Sequence, residues 1–204
     1  MIEEITRQIA SAWRDTSAVE LIAAILAVAY LLLAIRQYLS CWFAAFVSSV
    51  LYVWVFFGAH LYMDALLQGF YAAMAAYGFW RWRRGEDHHS LPVIHWSLNR
   101  HLIAAGAVLL LSLITSFFLR RYTPAASPFL DSLVTWSSIY TTYLVAQKVY
   151  ENWHWWLIID SVSLGLYFSR GLYLTTLLFA LYLVLIVVGM REWRRDLVGA
   201  YAPV

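Results

Sequence analysis

The sequence predicts an all-α membrane protein of seven transmembrane helices, built as two parallel three-helix repeats with one helix between them, a 3+1+3 arrangement. Three observations predict it. Of the 204 residues 63% are hydrophobic and only 13% are charged, with a mean hydropathy of +0.66, which is too apolar for a soluble domain of this length. Seven apolar runs are long enough to cross a bilayer. Finally, the chain superimposes on itself, without gaps, at an offset of 111 residues.

Taken in order, Met1 to Asp15 opens with Glu3 and Glu4 and lacks the basic start and apolar run of a secretory signal. Ile2, Ile5, Ile9 and Trp13 recur at helical spacing against Glu3, Glu4, Arg7 and Arg14, which predicts an interfacial helix over residues 1–17. The spans follow at Ala18 to Ile35, Leu39 to Phe57, Leu61 to Trp80, Leu102 to Leu119, Phe129 to Ala146, Trp155 to Phe168 and Gly171 to Met190. Residues 18–84 make the first repeat, 85–128 the hydrophilic loop and linker helix, 129–195 the second repeat and 196–204 a cytoplasmic tail. The loop is marked by Gly85, Glu86, Asp87, His88, His89 and Pro92, and a second break by Pro124 and Pro128. The other connections are short, so neighbouring spans are antiparallel and adjacent.

Lys and Arg fall unevenly on the two sides. Arg36, Arg81, Arg83, Arg84, Arg100, Lys148, Arg191, Arg194 and Arg195 share one side, and Arg7, Arg14, Arg120, Arg121 and Arg170 share the other. The richer side is predicted cytoplasmic, with the N-terminus outside and the C-terminus inside.

The 111-residue offset lays Val19 to Arg84 over Leu130 to Arg195, with identities that include Trp42/Trp153, Tyr71/Tyr182, Gly78/Gly189, Trp82/Trp193, Arg83/Arg194 and Arg84/Arg195. Apolar matches are cheap in such a chain; Gly, Trp and Arg-Arg matches at constant spacing are not. Three spans per unit and one between them start both units on the same side, so the repeat is parallel, as in SWEET-type carriers. In that architecture the substrate site lies between the units near the bilayer midplane.

The stretch Glu151 to Asp160 carries the candidate chemistry. At about 100° per residue Trp153, Trp156 and Asp160 share one helix face, a pairing that suits a flat organic cation: aromatic rings attract positive charge and a carboxylate balances it. In the first unit Trp42 matches Trp153, but Ala45 lies over Trp156 and Ser49 over Asp160. A set present in only one of two matching scaffolds fits an asymmetric ligand better than shared packing. The alternatives are a structural acid for Asp160 and an interfacial belt tryptophan for Trp153; Trp155 points away from this face and either meets lipid or packs. Gln68 sits mid-span with an amide that needs a partner, flanked by Asp64 and Tyr71 on one face. Against them stand a helix-start role for Asp64 and an architectural one for Tyr71. Trp136 and Tyr140, with Ser137 and Tyr143, are placed to complete an aromatic cage, unless they only pack. Glu20 and Asp131 match and read as helix-start anchors.

Several function classes are excluded. No basic stripe exists for nucleic acid, and no Gly-rich phosphate loop for a nucleotide. The six histidines are scattered without metal-ligand spacing, and the lone Cys41 has neither a disulfide partner nor a catalytic one. Neither a metal nor a cofactor is expected. A retinal protein needs a lysine within a span, and the chain's one lysine, Lys148, sits at a span end. A non-transporting assembly subunit is the remaining alternative to a carrier.

The motifs Glu-Asn-Trp-x-x-Trp-x-x-x-Asp at Glu151 to Asp160, Gly-Leu-Tyr-Leu-Thr at Gly171 to Thr175, Leu-Leu-Gln at Leu66 to Gln68 and Tyr-Gly-Phe-Trp-x-Trp at Tyr77 to Trp82 resemble those of the Pnu family of bacterial B-vitamin transporters. The resemblance runs from the first span to Arg195. It implies a SWEET-like fold, a homotrimer in the bacterial inner membrane, and facilitated diffusion with trapping of the vitamin by a cytosolic kinase. It also implies substrate contacts from Trp153, Trp156, Asp160 and Gln68. Some nicotinamide riboside carriers of the family have Asn where this chain has Asp160. Nicotinamide riboside and thiamine, both cations, suit a carboxylate there, with nicotinamide riboside the leading expectation, thiamine next and riboflavin behind.

Overall fold

The computed structural model describes residues 17–58, 62–84, 91–123 and 127–199, together with Thr6. These residues form seven helices: α1 (Ala18–Ile35), α2 (Ser40–Gly58), α3 (Tyr62–Arg83), α4 (Leu98–Tyr122), α5 (Pro128–Ala146), α6 (Asn152–Ser169) and α7 (Tyr173–Gly199). Each predicted span is met by one helix. The interfacial helix expected over residues 1–17 lies outside the described residues, apart from Thr6 and Ser17. At the other end α7 runs on to Gly199 and buries Leu197. Residues 196–199, expected in a tail, therefore continue the last helix.

By length and composition alone, α1, α2, α4 and α7 are apolar enough to cross a membrane. Of the other three, α5 and α6 carry polar residues that the fold buries. In α5 the buried row is Ser132, Ser137, Ser138, Thr141 and Thr142. The hydroxyls of Ser132, Thr141 and Thr142 donate to backbone carbonyls four residues earlier at 2.7, 2.7 and 2.8 Å. Such bonds satisfy a hydroxyl without water, so a helix this polar can stand inside a bundle.

Within the first unit α1 packs on α2 and α2 on α3; within the second α5 packs on α6 and α6 on α7. The units meet where α3 packs on α5 and α1 on α7, while α4 packs on α5. Exchanging α1, α2 and α3 for α5, α6 and α7 returns the same set of pairs, with α4 left over as the linker. The sequence repeat therefore has a counterpart in the contacts.

Local chemistry sets the element ends. Ser17 and Glu20 form a reciprocal capping box: Glu20 N–H donates to Ser17 Oγ at 3.2 Å and Ser17 N–H donates to the Glu20 carboxylate at 2.6 Å. This satisfies two helix-end donors and starts α1. Asp131, its counterpart in the second unit, instead receives the Arg170 guanidinium at 3.2 and 3.3 Å. The turns after α1, α5 and α6 close the same way. Tyr38 N–H bonds Leu33 O, Val149 N–H bonds Leu144 O and Leu172 N–H bonds Tyr167 O, each at 3.0 Å, around a left-handed residue. That residue is Gln37 (φ 56°), Lys148 (φ 52°) and Gly171 (φ 73°) in turn. Glycine adopts this conformation freely, whereas a side chain there costs about 1 kcal/mol or more.

The apolar core spans both units at the arginine-rich end and includes Ile35, Trp42, Trp82, Ala146, Trp153 and Trp193. Four of its tryptophans form a chain. Trp42 meets Trp82 edge-on at 5.3 Å, Trp82 lies 6.3 Å from Trp193, and Trp193 meets Trp153 edge-on at 5.4 Å. Trp82 Nε1 donates to Ala146 O at 3.2 Å and Trp193 Nε1 to Ala34 O at 3.1 Å, so each unit's indole bonds the other unit's first helix.

Candidate functional site

Helix α6 begins at Asn152, whose side-chain amide donates to Val149 O at 2.7 Å and fixes the entry from the preceding turn. Two turns on, Asp160 is 5% exposed. Among the described residues it forms neither an ion pair nor a hydrogen bond. Ser163, three residues later on the same face, is also buried, and its hydroxyl lacks a partner among the described residues. A carboxylate near a bilayer centre costs at least about 2.5–3.5 kcal/mol on insertion scales. Without a protein partner, Asp160 leaves that cost to be offset by something else.

Its surroundings are phenolic. Tyr182 of α7 lies within electrostatic range of both Asp160 and Tyr52 of α2. Tyr167 of α6 stands in range of Asp160 and Asp64, and Tyr71 of α3 in range of Tyr167. Tyr71 also reaches Ser138 of α5. Tyr167 thus stands in electrostatic range of Asp160 on its own helix and of Asp64 and Tyr71 on α3. Gln68 is half-buried, and its amide has no hydrogen bond among the described residues; Asp64 is exposed at the start of α3. Tyr52, Tyr167 and Tyr182 are contributors that sequence reasoning missed or treated as scaffold. Only Tyr182 carried a signal, as the repeat partner of Tyr71.

The tryptophans divide. Trp156 is half-buried and packs against the core. Trp153 and Trp42 are 2% and 1% exposed. A Cβ added to Gly189 would stand 2.3 Å from the Trp153 ring, and one added to Gly78 would stand 2.5 Å from Trp42. Each indole therefore fills a slot that only glycine leaves open. Their ring nitrogens, buried without a partner among the described residues, are the one polar feature they offer, and such an orphan donor costs about 1–3 kcal/mol. In this conformation Trp153 is thus a wedge in the core beside the acidic face.

Trp136 and Tyr140 are not brought together with Asp160. Trp136 Nε1 donates to Thr115 Oγ1 of α4 at 3.0 Å. Tyr140 packs edge-on against Trp155 at 5.1 Å, with its hydroxyl 3.2 Å from His101 Nδ1. Both sit on the face of α5 turned to the linker helix, because α5 is central and presents different faces to α3 and α4. An apolar cavity of about 160 Å³ lies there, lined by residues that include Val108, Ser137, Trp155 and Ile159.

The histidines are less scattered in space than in sequence. His95 Nδ1 lies 2.7 Å from Glu151 Oε1, and His101 Nε2 lies 3.6 Å from Glu151 Oε2. Trp155 Nε1 donates to His101 Nδ1 at 3.3 Å. Since an indole nitrogen only donates, the His101 proton belongs on Nε2, facing the carboxylate. Burial pushes the Glu151 carboxyl up, but the His95 hydrogen bond and backbone N–H groups outweigh it and hold the group below its usual range. Ile94 N–H donates to Lys148 O at 3.0 Å, and Tyr150 N–H donates to Ile94 O at 2.8 Å. Together these contacts tie the segment before α4 to the turn between α5 and α6. This cluster anchors the linker at the arginine-rich end, away from Asp160.

Asp160 without a partner among the described residues, the half-buried Gln68 amide and the phenols around them make up the candidate site. Residues 17–195 match the nicotinamide mononucleotide transporter family. The chain belongs to that family. Among curated relatives, it is 30% identical over 188 residues to the riboflavin/roseoflavin transporter RibM of Streptomyces davaonensis, covering 87% of this chain and 86% of the relative. It is 27% identical over 205 residues to the nicotinamide riboside transporter PnuC of Escherichia coli K12, covering 88% and 86%. In fold it matches the crystal structure of the vitamin B3 transporter PnuC with a TM-score of 0.71, at 20% identity over 95% of this chain and 88% of that one. The protein is thus a multi-pass membrane transporter of the Pnu type.

Proposed function

We propose that the protein carries a cationic, ring-bearing vitamin across the bacterial inner membrane, with nicotinamide riboside the leading cargo and thiamine the alternative. The observation that carries this is Asp160, buried in α6 without a partner among the described residues. A pyridinium or thiazolium would supply the missing positive charge, and Trp156 and the surrounding phenols would offer π faces to it. Gln68 and Tyr71 would meet the neutral part of the solute. Facilitated diffusion by rocking of one unit against the other needs no nucleotide. Net uptake would follow from a cytosolic kinase that adds a phosphate to the vitamin. A homotrimer follows from the family resemblance, and a cytoplasmic arginine-rich end from the side that Lys and Arg favour.

Riboflavin is the second reading, supported by the 30% identity to RibM. A flavin is neutral at pH 7 and can donate hydrogen bonds to a carboxylate but not balance its charge, so the cargoes are separable. Uptake of labelled nicotinamide riboside, thiamine and riboflavin into proteoliposomes is compared for the wild type and Asp160→Ala. Saturable cation uptake that falls at least about tenfold in the variant, a loss of about 1.4 kcal/mol, is the expected result. Riboflavin as sole cargo, or cation uptake indifferent to Asp160→Ala, would overturn the proposal.

A further inference from the structure

Six side-chain hydrogen bonds between the two units gather at the arginine-rich end, while Tyr71 and Ser138 meet farther along α3 and α5. Two are the Trp82 and Trp193 bonds to Ala146 O and Ala34 O. Two more converge on Gln147, which accepts from Arg81 Nε at 3.2 Å and donates to Tyr77 O–H at 2.6 Å. The last two share Gln37, whose amide nitrogen donates to the Asp196 carboxylate and whose carbonyl oxygen accepts from Lys148 Nζ at 2.9 Å.

Gln37 and Lys148 are 111 residues apart, the repeat offset, so two equivalent positions touch where the units meet. Both hold left-handed backbone conformations that a glycine would adopt without cost. A strained position kept by a functional side chain is a reason to ask what that side chain does. Lys148 is 2% exposed. Its ammonium lies 4.7 Å over the Trp82 ring and bonds one neutral oxygen; among the described residues it forms no ion pair, and Asp196 acts on it only from beyond contact, across Gln37. A buried cation so lightly compensated favours separation of the surfaces that bury it.

We infer that Gln37, Lys148, Trp82 and Asp196 form the gate at the arginine-rich end, closed in this structure, and that the Lys148 ammonium is its release element. The inference rests on the alternating-access part of the proposed function and not on the cargo. Closure is held by the tryptophan chain and the crossing hydrogen bonds. Lys148 opposes it, so the gate is kept near balance and able to reopen. The two sides of one contact then have opposite effects. Removing the charge in Lys148→Met, with the stem length kept, lets the interface close like an ordinary apolar one. Removing the compensation in Asp196→Asn or Gln37→Asn leaves the cation stranded and opens it.

The chain carries its own reporter. Cys41, its one cysteine, is 0% exposed, lies in the core cluster that joins the units, and is within electrostatic range of Lys148. Labelling by a small maleimide is measured on the full chain at saturating reagent, where the rate reports opening and not thiol reactivity, with thermal unfolding alongside to show each variant folded. Relative to the wild type, Asp196→Asn and Gln37→Asn are expected to label at least about threefold faster, and Lys148→Met at least about threefold slower with a higher melting temperature. If folded Lys148→Met labels as fast as the wild type or faster, or if neither partner variant accelerates labelling, the inference is overturned. No vitamin is present, so these outcomes are independent of those in the uptake assay.

Discussion

The two three-helix units are built alike where they touch each other and unlike where they face the membrane's middle. Trp42/Trp153, Gly78/Gly189, Trp82/Trp193 and Gln37/Lys148 are equivalent pairs, and they gather at the arginine-rich end as a wedge, a slot, a crossing hydrogen bond and a turn. Ser49/Asp160, Ala45/Trp156 and Gln68/Phe179 are equivalent positions with unlike chemistry. The first set makes a symmetric joint on which two bodies can move. Under the proposed function the second gives the site an acidic side and a neutral side, which suits a solute whose charge lies at one end. Symmetry serves motion, and its local loss serves recognition.

The largest expected effect tests the symmetric half. A methyl at Gly78 or Gly189 would meet a tryptophan ring at 2.5 or 2.3 Å. Neither ring can retreat, because Trp82 and Trp193 pack edge-on against them. Gly78→Ala and Gly189→Ala should each cost about 3 kcal/mol, the upper part of the range for overpacked interiors, read as a fall in melting temperature in detergent. Equal losses would mark Trp42 and Trp153 as one architectural pair. A much smaller loss at Gly189 would show that Trp153 can leave its slot, as a residue meeting substrate must, and would break the equivalence.

The next effect tests the asymmetric half. Ser49→Ala removes the hydroxyl at the position equivalent to Asp160 and should change cation uptake less than about twofold, against the tenfold or greater loss expected for Asp160→Ala. Kinetic separation adds information: a carboxylate that holds the cation equally throughout should raise KM and leave kcat near the wild-type value. If Ser49→Ala were as damaging as Asp160→Ala, both sides would share the load and the one-sided site would be wrong.

Much of this was legible in the sequence, for identifiable reasons. The seven spans were readable because lipid demands long apolar runs, and the ends were readable where a cap or turn has a chemical signature, as at Ser17/Glu20 and Gly171. Gly78 and Gly189 could be flagged as close-packing sites because glycine at a constant offset from tryptophan has few other uses. The direction of side chains on α5 could not be read. That helix is polar or aromatic on several faces, and only contact with α4 shows that Trp136 and Tyr140 look toward the linker. Tyr52 and Tyr167 were hidden because a tyrosine in a span has the same appearance whether it lines a cavity or packs. The pairing of Gln37 with Lys148 was hidden for another reason: their equivalence was available in the offset, but contact between equivalent positions needs the two units to be set against each other.

The smallest effect concerns that pair and has a definite sign. Burial pushes the Lys148 ammonium down from its ordinary 10.5 to about 8, against the opposing pull of Asp196 on α7 and of Cys41 on α2. Below about pH 8 the folded and unfolded chains both hold the proton, and the cost of burying the charge is constant. Between about 8 and 10.5 the unfolded chain keeps the proton and the folded one has lost it. Since stability rises with pH wherever the unfolded state binds more protons, the folded protein should gain on the order of 1 kcal/mol across that window, with solvent near exposed Asp196 moderating the effect. Other groups titrate there as well, so the measurement is a difference: thermal unfolding of the wild type minus that of Lys148→Met at each pH. The gap between them should be widest near neutral pH, with the methionine variant the more stable, and should narrow as pH climbs through 8. A gap that stays flat would mean that the closed gate holds the Lys148 proton as firmly as the unfolded chain does, so that Trp82, Gln37 and Asp196 offset its burial in full and the ammonium does not oppose closure.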